Sequence, residues 1–192
     1  MNEIGPANED TQWIEHSLSG VREAFDCLVR KYQNRLYNGM VHFLRDETEA
    51  EDVVQESFVL AYTRLSKFRG QSSFYTWLYR IAINAAISRG RKKRPRVSLE
   101  RDLGDAGVGM PGHDPQPGAR IDEQERADQL QAALGRLSEE HRLVLVLREL
   151  DGMGYEDIAQ ILDTPVGTVR SRLHRARHQL KEELATYFEN QK

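Results

Sequence analysis

The sequence predicts an all-α protein made of two small helical domains joined by a flexible linker. Three observations carry that prediction. Apolar residues in both halves recur with a 3.6-residue period, and no stretch shows convincing period-2 alternation. Residues 101–120 (RDLGDAGVGMPGHDPQPGAR) hold five glycines and three prolines among 20 positions, a composition that cannot form a core and reads as a tether. The length of 192 residues, 39% of them hydrophobic, suits one ordinary domain or two small ones. The expected division is 1–95, a linker over 96–121, and 122–192.

In the first half, Leu28, Tyr32, Leu36, Met40, Phe43 and Leu44 follow the spacing of one helix. Asp46 with Glu49 three positions on reads as an N-cap and its capping-box partner. The helix that follows buries Val53, Val54, Ser57, Phe58, Ala61 and Leu65. The stretch from Lys67 to Ser72 breaks it, and a helix resumes from Ser73 to about Arg89, with Trp77, Leu78, Ile81, Ala85 and Ile87 on its inner or aromatic side. In the second half, helices are expected over 122–135, 138–150, 154–162 and 165–186. Ser138 caps the second, and Gly152 and Gly154 frame the turn after it. Leu143–Leu147 reads as buried helix because Glu139, Glu140, Arg142, Arg148 and Glu149 flank it closely.

Composition excludes several classes. Cys27 is the single cysteine, so there is no disulfide framework, and a reducing compartment fits. The longest strictly apolar run, Leu143–Leu147, is five residues where a span needs about 20. Met1–Pro6 has neither a basic patch nor an apolar segment of a secretory signal, so the expected location is the cytoplasm.

The net charge of −3 conceals a pattern. Residues 41–60 carry six acidic groups and one basic group. Residues 61–100 carry ten basic groups and one acidic, and 163–181 carry five basic against Asp163. Two separated basic zones suit a polyanion held at two places, while the acidic face suits a protein or solvent. The alternative is a set of solvated helix faces.

The C-terminal zone is the more specific. Tyr155–Leu162 is a short helix, Asp163-Thr164 turns the chain, and Thr164-Pro165 supplies an N-cap with proline at the first helical position. The next helix sets Val169, Leu173, Ala176, Leu180 and Leu184 in one stripe. This is a helix-turn-helix pattern. Arg170, Ser171, His174, Arg175 and His178 point away from the stripe, with Arg172, Arg177 and Lys181 on its flanks. Arginine on such a face pairs bidentately with guanine in the major groove, and flanking cations hold phosphates. His174 and His178, four apart, lack the further ligands of a zinc site, and no metal is expected.

The first basic zone alternates its cations with Phe68, Phe74, Tyr75, Trp77 and Tyr79. Unpaired bases stack on aromatic faces while cations follow the backbone, so this zone suits single-stranded nucleic acid. The polar loop Phe68–Ser73 is placed to rim a pocket for an unstacked base. Some of these aromatics are expected to be core: Phe58 wholly, Trp77 at least half. Cys27 is expected to pack in the core rather than sense redox.

A duplex-reading module tethered to a strand-reading one suggests promoter recognition coupled to melting. Three segments, Glu51-Asp-Val-Val-Gln-Glu-Ser-Phe58, Phe68-Arg-Gly-Gln-Ser-Ser-Phe-Tyr-Thr-Trp-Leu-Tyr-Arg-Ile-Ala82 and Pro165-Val-Gly-Thr-Val-Arg-Ser-Arg-Leu-His-Arg-Ala-Arg177, resemble the extracytoplasmic-function sigma factors. With Leu147–Gly152 they most resemble the envelope-stress sigma-E type. The resemblance spans nearly all of both halves and implies sigma region 2 and region 4 domains. It implies a non-enzymatic factor without cofactor or small-molecule substrate, directing core RNA polymerase to stress-type promoters.

Residue by residue, the resemblance implies that Asp52, Gln55 and Glu56 dock on the β′ clamp helices. Phe68, Arg69, Gln71, Ser72, Phe74, Tyr75 and Trp77 would melt the −10 element and capture a flipped base, with Asn84 reading it. Arg80 and Arg89–Arg94 would hold nearby phosphates. Arg170, Ser171, His174 and Arg175 would face −35 bases, with Arg148 and Arg172 on the backbone. Region 4 would also grip the β flap, and an anti-sigma factor, often membrane-anchored in this family, would be a further partner. Val21, Ser88 and His174 depart from the family pattern, and the last two leave base preference open. Two rival readings are a free-standing helix-turn-helix regulator, and an RNA-binding or nuclease enzyme holding Mg²⁺ on Asp46, Glu47, Glu49 and Glu51.

Overall fold

The computed structural model describes residues 6–93 and 129–189, and every regular element among them is helical. Helix α1 (Pro6–Leu18) was not expected from periodicity. Its proline supplies a preset φ at a position where no N–H is needed. Its inner face carries Ile14 and Asp10, both buried. Asp10 accepts hydrogen bonds from Lys31 Nζ (2.6 Å) and Tyr32 Oη, and these fasten α1 to α2 (Arg22–Leu44). Burial, and then that hydrogen bond, raise the Tyr32 phenol pKa. The expected stripe of α2 is present: Leu28, Tyr32, Leu36, Met40 and Phe43 are all buried. The helix stops at Arg45, whose left-handed φ of 61° lets its N–H reach Val41 O.

Asp46 caps α3 (Glu47–Thr63) by accepting from Glu49 N at 2.9 Å, as the capping pattern predicts. A single 3₁₀ turn, Leu65–Lys67, ends that run, and the loop 68–73 turns through Gly70 at φ 66°. Ser73 caps α4 (Phe74–Lys93), its Oγ accepting from Thr76 N at 3.0 Å. Leu78, Ile81 and Ala85 are buried as expected, and Trp77 is half-buried. Ile87 is 40% exposed, against expectation, while Ala82, Ile83 and Ala86 are buried. The reason is that α4 lies between α3 and a helix of the second half, so its covered faces are not one stripe.

The second half is described from helix α5, residues 129–136; the expected tether and residues 122–128 lie outside the described residues. Ser138 caps α6 (Glu139–Leu145), which widens into a π turn, Val146–Leu150, where Asp151 N reaches back to Val146 O. Leu143–Leu147 is buried helix throughout. After Gly152, at φ 66°, comes α7 (Tyr155–Leu162). Asp163, at φ 50°, turns the chain into α8 (Val166–Glu189). Pro165 stands one position before the helix rather than first within it: its carbonyl accepts from Thr168 N and Val169 N, so it acts as the cap. Val169, Leu173 and Ala176 of the expected stripe are buried, and Leu180 and Leu184 partly so.

The two halves pack on each other. Leu143, Leu147, Met153, Ile158, Ile161 and Val169 join the apolar cluster of α1–α4, while Leu134, Leu137, Val144, Leu145, Leu173 and Ala176 form a smaller one beneath α8. Fully burying a side chain of this size contributes about 1.5–3 kcal/mol. Arg142 donates to Leu134 O and Leu137 O on its own side and to Phe43 O across the junction. Arg35 donates to Asp151 O at 2.6 Å, and Tyr75 Oη to Asp151 Oδ1 at 3.1 Å. Burial raises the Asp151 carboxyl pKa, against the opposing pull of Tyr79, Tyr75, Arg35 and His42. A Cβ on Gly39 would stand 2.5 Å from Tyr79 Oη and 2.8 Å from Asp151 Oδ2, so only glycine lets α2 approach this junction.

Candidate nucleic-acid interface

The expected −10 residues come together around a groove of about 360 Å³ lined by Lys67, Phe68, Arg69, Gln71, Ser72, Thr76, Trp77, Arg80 and, from α7, Gln160. The capped start of α4 holds Trp77 beside Phe68, ring centroids 5.2 Å apart, with both rings half-buried. Such a pair leaves part of each π-face for a base. Phe74 and Tyr75 do not offer theirs, being only 2% and 5% exposed. Phe74 lies in edge or tilted contact with Phe25, Tyr32, Phe68 and Trp77, and Tyr75 stacks on Tyr32 beneath Asp151. Periodicity could not separate these two from Trp77, because whether a face is free depends on what α2 and the second half place over it. Asn84 is exposed, one turn beyond Arg80.

The second half contributes Gln160 to this groove, and two of its carboxylates meet lining residues from outside it. Thr76 Oγ1 donates to Asp157 Oδ1 at 3.0 Å, and Arg80 lies 3.8 Å from Asp163.

On α8, Arg170, Ser171, His174 and Arg175 are all exposed on the face opposite the buried stripe, as the spacing predicts. Ser171 Oγ donates to Thr168 O. Arg172 pairs with Glu140 at 3.2 Å. Arg148 donates to Met153 O at 2.8 Å, and Arg177 is held by Glu149, whose hydrogen bonds raise its pKa. Sequence reasoning missed Tyr155. Its ring lies under two guanidinium groups, Arg148 at 5.0 Å and Arg170 at 5.6 Å, within cation–π range. An aromatic at the first position of α7 was the available signal, but its partners are seven residues upstream and fifteen downstream.

The acidic face is partly engaged. Asp52 and Gln55 are exposed on α3 and Glu56 is half-buried. Arg89, expected to hold phosphate, instead donates to Asp52 at 2.7 Å and Glu56 at 2.8 Å, and these hydrogen bonds raise its own pKa. The side chains of Arg91–Arg94 lie outside the described residues. Cys27 is half-buried rather than fully packed, its thiol 3.5 Å from Glu23 O. His178 approaches Glu182, and among the described residues no group of three His, Cys, Asp or Glu is placed to hold a metal. Asp46 is committed to its cap. No helix among the described residues is long and apolar enough to cross a membrane.

An all-helical protein with a helix-turn-helix surface on one half and an aromatic, cationic groove on the other is built to meet a polyanion at two places. Residues 28–96 match the family model "Sigma-70 region 2" and residues 127–180 match "Sigma-70, region 4". The chain is 43% identical to the RNA polymerase sigma-H factor of Pseudomonas aeruginosa, covering 92% of this chain and 94% of that one. It is 39% identical to the ECF RNA polymerase sigma-E factor of Escherichia coli K12, over 88% and 90%. Among solved structures, CnrH in complex with the cytosolic domain of CnrY is similar (TM-score 0.69, 28% identity, 93% of this chain and 98% of that one). So is the sigma factor RpoE of Bartonella quintana with the anti-sigma factor NepR (TM-score 0.67, 28% identity, 84% and 96%). The chain belongs to the sigma-70 family and is an alternative sigma factor of the extracytoplasmic-function type. A free-standing helix-turn-helix regulator is not favoured, because it leaves region 2 unexplained.

Proposed function

We propose that the chain, acting in the cytoplasm and without enzymatic activity, carries core RNA polymerase to stress-type promoters by reading −35 and melting −10. The division of labour is residues 1–95 for region 2, 96–121 for the linker and 122–192 for region 4. The observation that carries the reading is the pairing of two unlike surfaces in one chain. The exposed cationic face of α8 suits a major groove, and the Phe68–Trp77 groove suits unstacked bases. Arg170, Ser171, His174 and Arg175 face −35 bases, while Arg148 and Arg172 hold the backbone. Phe68, Arg69, Gln71, Ser72, Trp77, Arg80 and Asn84 take the −10 strand, with Phe74 and Tyr75 shaping the groove from beneath. Asp52, Gln55 and Glu56 meet the β′ clamp helices, and region 4 meets the β flap. Binding of unpaired bases offsets the few kcal/mol of each unstacking step, so melting needs no ATP. An anti-sigma factor is a partner of this chain too, as it is of the Bartonella quintana relative.

The test is transcription of fragmented genomic DNA by bacterial core polymerase with and without the chain, mapping RNA 5′ ends. New start sites sharing two upstream motifs about one and a half to two helical turns apart support the reading. Absence of new starts together with no core binding on gel filtration refutes it.

A further inference from the structure

A second groove, of about 470 Å³, lies at the other end of α4 from the aromatic one and takes no part in the −10 or −35 surfaces. Its apolar side is built by Phe43 and Leu44 at the end of α2, by Ile87 on α4 and by Leu143 on α6. Ile87 is 40% exposed, so the apolar side chain that the periodicity of α4 turns inward stands here without a full cover. Glu49, Glu139 and Glu140 line the same groove. Arg142, the one cation among its described lining residues, turns its guanidinium to the carbonyl oxygens of Phe43, Leu134 and Leu137. Glu140 also pairs with Arg172 at 3.2 Å, so the rim is acidic but not bare. A Cβ on Gly90 would meet no described atom within 4 Å, which leaves room over the last turns of α4.

The chain itself supplies an occupant. Helix α4 ends at Lys93, less than a turn beyond Gly90, and the described residues resume at 129. There α5 lies against the end of α2, with Gln131 hydrogen-bonded to His42 and Gly135 beneath the Arg45 guanidinium. Residues 94–128 therefore begin on the α4 side of the groove and end on its α2 side. The first of them read Arg94-Pro-Arg-Val-Ser-Leu99, and Pro95 has no N–H with which to extend a helix. Val97 and Leu99, two positions apart, share one face of an extended run. We propose that Arg94–Leu99 folds back into this groove, with Val97 and Leu99 on its apolar side and Arg94 and Arg96 toward its carboxylates. Three carboxylates match two guanidinium groups, and two aliphatic side chains cover Ile87, which nothing described covers fully. Attachment through Lys93 gives the segment a high effective concentration at the groove, so even a small apolar site can hold it.

The test is limited trypsin digestion of the full chain, read by mass spectrometry. The bond Arg96–Val97 lies in the docked segment, and Arg120–Ile121, further along the linker, is the reference. Each rate is divided by that of the same bond in a synthetic peptide. Cleavage follows the population of the open form, so the wild type should be cut after Arg96 roughly tenfold more slowly than after Arg120. Ile87→Gln in the groove and Leu99→Gln in the segment, made separately, should each quicken the first cut by about fivefold or more and leave the second unchanged. If Ile87→Gln does not fold by circular dichroism, Leu99→Gln carries the same expectation, since it lies outside the described core. Equal rates at the two bonds in the wild type overturn the proposal, as does a slow cut after Arg96 that neither variant quickens. Protection that grows with chain concentration overturns it too, because the groove would then hold the segment of a second copy.

Discussion

The two surfaces proposed to meet nucleic acid in this sigma factor differ in readiness. The outer face of α8 carries Arg170, Ser171, His174 and Arg175 in the open, and the guanidinium of Arg170 is held over Tyr155. The groove at the start of α4 carries more aromatic surface, yet Phe74 and Tyr75 are buried and Arg80 faces Asp163. A helix reading a duplex needs only a fixed comb of side chains, and these can be displayed permanently because they are polar and solvated. A pocket for unstacked bases needs apolar faces, and those do not stay uncovered in water. The difference thus follows from what each surface must bind.

The largest effect should come from the core that joins the two surfaces. Leu147 is fully buried between them, and Leu147→Ala should cost about 2–5 kcal/mol, read as a lowered denaturation midpoint. A loss below about 1 kcal/mol would mean that the halves do not share a core in solution. Next in size is Arg170→Ala, expected to cost about 1–3 kcal/mol at one −35 base pair, measured by holoenzyme binding to promoters varied at single positions. An equal loss on every sequence would make Arg170 a phosphate contact.

Tyr155 sharpens the same side of the comparison. Tyr155→Leu should weaken −35 binding by about 0.5–1 kcal/mol, while Tyr155→Phe, which keeps the ring, should bind as the wild type does. Smaller still is Arg89→Ala. It frees Asp52, which is exposed, and half-buried Glu56 at a cost of about 0.2–1 kcal/mol per pair in thermal stability. It should leave core-polymerase affinity unchanged or improved, and loss of that affinity would mean the Arg89 pairs shape the docking face rather than mask it.

The junction also has a pH signature. Burial raises the Asp151 carboxyl above its ordinary value of 3.8, with Arg35, Tyr75, Tyr79 and His42 facing it. Between 3.8 and that raised value the folded chain binds more protons than the unfolded one. This group's contribution to stability therefore grows as pH falls through the interval and levels off below it. His42, whose pKa burial lowers from 6.5, has the opposite sign: acid charges it and erodes the packed state. Denaturation midpoints of the wild type and Asp151→Asn, whose amide mimics the protonated carboxyl, separate the two across the acid range: the wild type should fall relative to the variant as pH rises through the interval.

Most of the helical framework was legible because caps and apolar stripes act within a few residues: Asp46 with Glu49, Ser138, and the α2 stripe from Leu28 to Phe43. Helix α1 escaped notice because its anchor is a buried carboxylate, Asp10, rather than an apolar stripe. The exposed face of α8 was legible for the same reason as the stripe, since a helix one side of which is buried must show the other. The aromatic groove proposed for −10 was legible as a region but not as a surface. Which of Phe74, Tyr75 and Trp77 is uncovered depends on α2 and on Asp151, 76 residues from Tyr75 in sequence. Gly39 carried no signal at all, since its role exists only when Tyr79 and Asp151 converge on it.

The most direct measurement is hydroxyl-radical footprinting of the full chain, read by mass spectrometry, first alone, then with core polymerase, then with promoter DNA. Tyr75 and Met153, each 5% exposed at the junction, should resist oxidation in the free chain. His174 should react in both states and become protected only when DNA is added. If Tyr75 and Met153 oxidise as readily as His174 in the free chain, the contrast between an open and a covered surface is wrong.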